Sequence, residues 1–398
     1  MENLDTTLGD NQWVYGTLGD AVTSATSNIS LNKIKEDDGP YAVFGARGYM
    51  QNVSFFHQEN DYLAIIKDGA GIGRVSELPA KSSVLATMQY LLPKTGYELR
   101  FIKYFLESID FDQYRTGSTI PHIYFKDYKS EPFPILSITE QQRIIAILDE
   151  VFADIEQVRA KTEQNLKNAR ELFESYLQQV FSKDIKNYNQ VALAEITKTI
   201  SDGDHSAPPK SSEGIPFITI SNIDKNTNEI DFSSTFKVPE DYYEKLKPNR
   251  KPIAGDVLYT VTGSYGIPVL VKKEKKFCFQ RHIGLIRPNS KAESEWLYYL
   301  LMSPIVFKQA EDGATGTAQK TVSLKVLRNI LVPETPLGIQ KEEVKKLKLV
   351  DAKTKNLESV YSAKLAALDE LKKSILQKAF SGELTKISNN KIKQGALA

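Results

Sequence analysis

The sequence predicts a mixed α/β (α+β) chain that uses one plan twice: a globule, a long helix, a second globule and a second long helix. Three observations carry this reading. Sliding the chain by 199 residues lays Leu166–Ser182 on Leu365–Ser381 with eight of 17 positions identical. Short β-branched and aromatic runs, broken by Gly, Pro and Asn, fill the first part of each half. Two stretches without Gly or Pro, from Ile135 to Asp202 and from Ile339 to Ser381, carry apolar residues at heptad spacing.

In the first globule Tyr41-Ala-Val-Phe44, Tyr62-Leu-Ala-Ile-Ile66 and Ser83-Val-Leu-Ala-Thr-Met-Gln-Tyr-Leu-Leu92 read as strands. In the second, Pro216-Phe-Ile-Thr-Ile220, Val257-Leu-Tyr-Thr-Val261 and the run from Phe277 to Ile286 do the same. A short helix follows in each, near 98–108 and 293–303. Here the matching offset is 195: Gly71-Ile72 falls on Gly266-Ile267, Pro93 on Pro288, and Tyr104–Ser108 on Tyr299–Ser303. The offset returns to 199 where Gly117-Ser meets Gly316-Thr, Pro134 meets Pro333 and Gln141 meets Gln340. The four-residue difference predicts a longer loop at about 304–315.

The helices follow. Leu148, Val151, Ile155, Val158, Ala169, Leu172 and Tyr176 form one expected seam. Leu347, Val350, Thr354, Leu357, Leu368, Leu371 and Ile375, 199 residues on, form the other. Ser137-Ile-Thr-Glu140 fits a capping box and Gly382 a stop. About 43 residues make a rod of roughly 65 Å. Two equal helices pair most simply as an antiparallel coiled coil, which would set the globules at opposite ends about a pseudo-two-fold axis. The expected boundaries are 1–136 and 186–336 for the globules, 137–185 and 337–385 for the helical regions, and 386–398 for a flexible tail.

Composition narrows the chemistry. The chain has 398 residues, 41% of them hydrophobic and 25% charged, with one cysteine and four histidines. No apolar run reaches the ~18–20 residues that cross a bilayer, and the acidic N-terminus has no signal core. The lone Cys278 cannot form an internal disulfide, so the expectation is a soluble cytoplasmic protein. No metal-ligand spacing can be written from these residues. Residues 1–185 hold 18 Lys and Arg against 26 Asp and Glu, and the remainder 33 against 24, so a net charge of +1 hides a basic second half. That half could meet a polyanion.

Enzyme signatures are absent. Gly69-Ala-Gly-Ile-Gly73 suggests a nucleotide loop, but Arg74-Val-Ser-Glu-Leu-Pro79 cannot open the helix such a loop needs. There is no Walker loop, no nucleophile elbow and no Asn/Asp-Pro-Pro-Tyr/Phe methylation motif. Catalytic residues are expected to be none. What is left suits the reading of DNA, with Lys addressing phosphate and Arg, Gln, Asn or His addressing base edges. The first globule offers Arg47 and Tyr49, Lys67, Arg74, Lys81 and Ser82, and Arg115 and Ser118. The second offers His205 and Lys210 in Asp202-Gly-Asp-His-Ser-Ala-Pro-Pro-Lys210, Ser264 and Tyr265, and Arg281 and His282. It also offers Thr317, Gln319 and Lys320, together with Lys272, Lys273, Lys275 and Lys276, a cluster dense enough for sequence-blind attraction.

The Asp-Gly-Asp-His loop, the following Gly214-Ile-Pro-Phe-Ile-Thr-Ile220 and the closing Leu371-Lys-Lys-Ser-Ile-Leu-Gln-Lys-Ala-Phe-Ser-Gly-Glu-Leu384 resemble the specificity subunits of type I restriction–modification systems over nearly the whole chain. The first globule departs from the pattern, with Asn28-Ile-Ser-Leu-Asn-Lys33 in place of the Asp-Gly-x-His loop. The resemblance implies two target-recognition domains, each reading one half of a bipartite double-stranded DNA sequence, and helices that set the spacer and dock partners. Those partners would be two modification subunits, which methylate adenine with S-adenosylmethionine, and restriction/translocase subunits using ATP and Mg. This chain itself would need no cofactor and would contact no membrane. A coiled-coil adaptor without a DNA role, or a DNA methyltransferase, are the alternatives.

Overall fold

The computed structural model describes residues 13–384 apart from Ser206 and Ala318, so the tail expected over 386–398 lies outside the described residues. The chain divides into two compact units, one of residues 1–162 with 363–398 and the other of residues 163–362. It passes between them within two long helices, Ile138–Asn187 and Leu337–Phe380. Among the described residues no helix is long and apolar enough to cross a membrane.

The first unit is built on a four-stranded antiparallel sheet in the order Val22–Thr26, Met88–Pro93, Tyr62–Ile66, Val75–Leu78. All five residues of Tyr62–Ile66 are buried, as expected of a central strand covered on both faces. A second sheet pairs Gly48–Val53 antiparallel and Ser83–Val84 parallel with Tyr41–Gly45. The second unit repeats both. Its four strands run Thr197–Asp202, Ile283–Pro288, Val257–Thr260, Pro268–Leu270, and its three run Phe236–Val238, Ile215–Ile218, Cys278–Phe279, with the last pair again parallel.

Two expected strands are each split in two. The run from Ser83 breaks at Leu85–Thr87: Leu85 N–H donates to Phe44, and the Thr87 carbonyl accepts from Lys67 and Asp68 at 3.0 and 3.2 Å. The chain thereby leaves one sheet and enters the other. The run from Phe277 breaks equivalently at Gln280–His282, where Gln280 N–H donates to Ile218 and the His282 carbonyl accepts from Val261.

The longer segment expected as a loop at 304–315 is instead mostly a helix, Pro304–Asp312, with Pro304 at its first position and the Ser303 hydroxyl capping Val306 N–H. Phe307 from this helix packs under Gly266, and Phe111 packs under Gly73; a Cβ on either glycine would lie 2.6 Å from the ring. Both glycines also hold φ near +90° (82° and 93°). Gly73, rather than Gly71, is therefore the counterpart of Gly266.

Each long helix is tied to its globule by a buried glutamine at its start. Gln141 accepts from Glu98 N–H at 2.8 Å and donates to the carbonyls of Gly96 and Leu136 at 2.9 Å each. Gln340 makes the same three bonds to Glu293, Lys291 and Thr335 at 2.8, 2.8 and 2.7 Å. At the far ends of the helices Phe380 packs at 5.3 Å from Phe101 and from Phe105, and its counterpart Phe181 at 6.0 Å from Trp296. Truncating a buried Phe of this kind costs about 3–5 kcal/mol.

Within each unit the helix segments run antiparallel. In the first, Arg159 pairs with Asp369 while Lys372 lies over the Phe152 ring. In the second, Arg170 pairs with Glu358 and Asp184 with Thr335. The heptad step through Leu148, Ile155 and Ala169 is buried, and so is that through Leu347, Thr354 and Leu368, with Thr162 a further buried threonine. The alternate positions differ from expectation. Val158, Leu172, Leu357 and Leu371 are exposed, and Phe152, Leu177, Val344 and Leu376 take the inward places, one residue on from the expected rows or on their far side.

Candidate nucleic-acid interface

The two units present one scaffold at one end of their central strands. In the second unit the turn after Val257–Thr260 is pinned by a loop: Gly263 N–H donates to Lys320, Val322 N–H to Val261, and Thr315 and Thr321 exchange both backbone bonds. In the first unit Gly69 N–H donates to Pro121, Ile123 N–H to Lys67, and Thr116 and His122 exchange both bonds. Gly316 and Gly117 make these loops possible. Each has positive φ, and a Cβ would lie 2.4 or 2.3 Å from the carbonyl oxygen of Gln319 or Ile120.

Onto this frame the second unit brings candidates from four separate segments. His205, Arg281, His282 and Gln319 line one groove with Asp202, Val261, Thr262, Thr321 and Leu324. His205, Arg281 and Gln319 are exposed. Ser264 is exposed in the adjoining turn, Tyr265 stacks on Phe307 at 5.8 Å, and Thr317 and Lys320 are exposed in the opposing loop. Lys210 stands apart over the Phe236 ring, 5.5 Å from its centre.

The Asp-Gly-Asp-His motif serves chiefly to build this groove. Asp202 bonds His205 at 2.6 Å, and Asp202 and Asp204 grip Arg250 at 3.3 and 3.4 Å. Tyr242 donates to Asp204 at 2.8 Å, and burial together with that bond raises the Tyr242 hydroxyl well above its usual range. Gly203 lies so close to the Phe279–Gln280 backbone that a Cβ would meet the Phe279 carbonyl at 2.0 Å.

The lysine cluster lies away from this groove. Residues 271–276 follow Pro268–Leu270 at the end of the sheet opposite the Thr262 turn, because Gly255 N–H donates to Val271. Lys272 pairs with Glu229 at 2.8 Å, and Lys276 with Glu240 and Glu244 at 3.2 and 3.3 Å. Lys275 sits 3.5 Å over the Phe232 ring, and Lys273 is exposed. Much of this charge is compensated inside the unit, and none of it borders the groove.

In the first unit Lys67, Arg74, Arg47, Arg115 and Ser118 come to the equivalent end of its own central sheet. Arg74 donates to the Ala46 carbonyl beside the exposed Arg47–Tyr49 turn, and Arg115 and Ser118 are exposed in the pinned loop. Lys67 pairs with Asp68 at 2.6 Å, and the other Asp68 oxygen lies 2.7 Å from His122 Nδ1. Burial would raise the Asp68 carboxyl, but the His122 and Lys67 bonds outweigh it and hold it below its ordinary value. Lys81 and Ser82 lie at the other end, beyond Leu78, which pairs with Tyr62. Ser82 is 1% exposed; its hydroxyl donates to Pro79 at 2.6 Å and lies 2.9 Å from the Tyr62 hydroxyl. That burial takes the Ser82 side chain out of the exposed surface. Sequence reasoning missed Asp68 and His122, although the 199-residue register sets His122 on Thr321 of the candidate loop.

The model of the family described as type I restriction modification DNA specificity domain matches residues 10–168 and again 183–366, once per half. The EcoBI specificity subunit of Escherichia coli is 24% identical over 293 residues, covering 67% of this chain, and the chain spans 61% of that relative's length. The MjaVIII specificity subunit of Methanocaldococcus jannaschii is 24% identical over 362 residues, covering 84% of this chain and 81% of the relative. Among solved structures, a chain from a study of complex assembly and conformational transition of the type I R-M system superposes with a TM-score of 0.71 at 17% identity, covering 93% of this chain and 98% of its own. The HsdS subunit from Thermoanaerobacter tengcongensis gives 0.52 at 17% identity, with 93% and 97% covered. At this identity the structures bear on the fold.

Proposed function

The chain belongs to the type I restriction–modification DNA specificity family, and on that premise we propose that each of its two units reads one half of a bipartite duplex sequence. One observation carries the reading: the same loop-pinned scaffold ends both central sheets, while the side chains on it differ. An equal frame with exchanged side chains is what two readers of different half-sites require. Arg74 and Arg115 in one unit and Arg281 and Lys320 in the other supply phosphate attraction. His205, Gln319 and Tyr49 have the donors, acceptors and flat apolar faces that address base edges.

The chain is a specificity subunit and performs no bond chemistry of its own. Methyl transfer to adenine would belong to two modification subunits carrying S-adenosylmethionine, and translocation and cleavage to restriction subunits using ATP and Mg, in the cytoplasm where the DNA lies. The two long helices set the spacer and dock the modification subunits. The test is to express the chain with its modification subunits and to map modified adenines by single-molecule sequencing. A split motif with two unlike halves is expected. Modification without a sequence preference, or unchanged when this chain is left out, would overturn the proposal.

A further inference from the structure

One position separates the two scaffolds most sharply. Where the pinned loop meets the turn, the bridge in the first unit joins Asp68 to His122, and in the second it joins Thr262 to Thr321. The threonine hydroxyls lie 3.4 Å apart. The Asp68 carboxylate can only accept a hydrogen bond, so the His122 Nδ1 2.7 Å away carries the proton. The tautomer is thereby set, and Nε2 has no hydrogen bond among the described residues in a side chain that is 35% exposed. The ring also has close neighbours. It lies nearly parallel to Tyr124 at 6.5 Å, and its Cδ2 is 3.1 Å from where a Cβ on Gly117 would stand. Lys67, on the second Asp68 oxygen, holds the carboxylate in turn.

We infer that His122 is a base-reading residue of the first half-site and that Asp68 is its positioning residue. This rests on the reading of the chain as a DNA specificity subunit. In the neutral ring Nε2 is an acceptor, which matches an exocyclic amino group in the major groove, adenine N6 or cytosine N4. The threonine at the equivalent place in the second unit has a hydroxyl that can donate or accept, and so discriminates less. The two half-sites should therefore differ in how strictly they specify the base pair that faces this bridge. A histidine serving only to pin the loop predicts something else: its loss would loosen the unit and weaken binding to every duplex alike.

The experiment uses the full chain assembled with its modification subunits and a panel of duplexes in which each base pair of the motif is replaced in turn. His122→Ala should reduce the preference at one base pair of the first half-site by about ten- to hundredfold, with the second half-site read as before. His122→Asn, whose amide can still donate to Asp68, keeps the loop closed and should show the same loss, which covers the case in which the alanine variant misfolds. Asp68→Ala should lose preference at that same base pair, and Asp68→Asn, whose carbonyl still accepts from Nδ1, should retain most of it. If the His122 variants weaken all duplexes by one factor, or only lower the melting temperature, His122 is a pin and the inference fails while the specificity reading stands. A wild-type assembly with no preference among duplexes overturns the specificity reading itself, and this inference with it.

Discussion

Replacing Gln141 or Gln340 by Ala should loosen one unit at a time, by an amount that the surroundings of each glutamine set. Each side chain is essentially buried, at 0% and 1% exposure, and each makes three hydrogen bonds to backbone groups of its own unit. At about 1 kcal/mol net per bond, either substitution costs roughly 3 kcal/mol. The two are not equal. Thr335, whose carbonyl Gln340 satisfies, is 3% exposed, whereas Leu136 is half-buried and Gly96 exposed, so water can replace part of what Gln141 supplied. An orphaned buried carbonyl adds about 1 kcal/mol more, which makes Gln340→Ala the worse at roughly 4 kcal/mol. Hydrogen exchange read by mass spectrometry separates the units: in Gln141→Ala, peptides from 88–108 should lose protection, and in Gln340→Ala those from 283–302. A loss below about 1 kcal/mol, or equal losses in both units from either variant, would refute the idea that these glutamines act as independent helix anchors.

Four further outcomes follow from local chemistry. Burial pushes the Cys278 thiol up to about 12, so a maleimide should leave the native chain unlabelled for hours and react within minutes in urea; fast native labelling would contradict the packing of the Phe217–Cys278 sheet. Burial also raises the Asp184 carboxyl, with Glu343 adding to it and the Thr335 hydroxyl opposing it. The folded chain then holds more protons than the unfolded one above the unfolded value of about 3.9, and its stability falls as pH rises through the window up to the folded value. Asp184→Asn should remove that fall, so its advantage in urea midpoint should be larger at pH 7 than at pH 4; the opposite trend would show the sign to be wrong. At the groove, Gln319→Ala should cost about 1–3 kcal/mol on the cognate duplex and little on a scrambled one. Lys276→Ala, which removes a charge already paired with Glu240 and Glu244, should change the salt slope by far less than the ~0.9 of a lost phosphate contact.

The architecture was legible because duplication writes itself in spacing: Pro93 with Pro288 and Gln141 with Gln340 hold in the structure as strand end and helix anchor. What failed depended on contacts remote in sequence. Three glycines within Gly69–Gly73 offer three registers, and the rings of Phe111 and Phe307 decide among them. In the helices Val151 and Phe152 are neighbouring apolar residues, so the heptad count alone does not say which row faces the partner helix. Lys272 and Lys276 read as free because their carboxylate partners lie 43, 36 and 32 residues away. The groove of the second unit was largely visible as residues, but its acidic support was not. Asp202 and Asp204 read as polar loop residues until Arg250 is seen to bridge them and Tyr242 to donate to Asp204.

The central claim, that two separate units read two separate half-sites, is tested most directly by replacing residues 186–336 with the equivalent region of another member of the family. The methylated motif is then mapped in cells that express the hybrid with the modification subunits. One half of the motif should change, while the other half and the spacer length stay as they were. If both halves changed together, or neither did while modification persisted, the two-reader account would be contradicted.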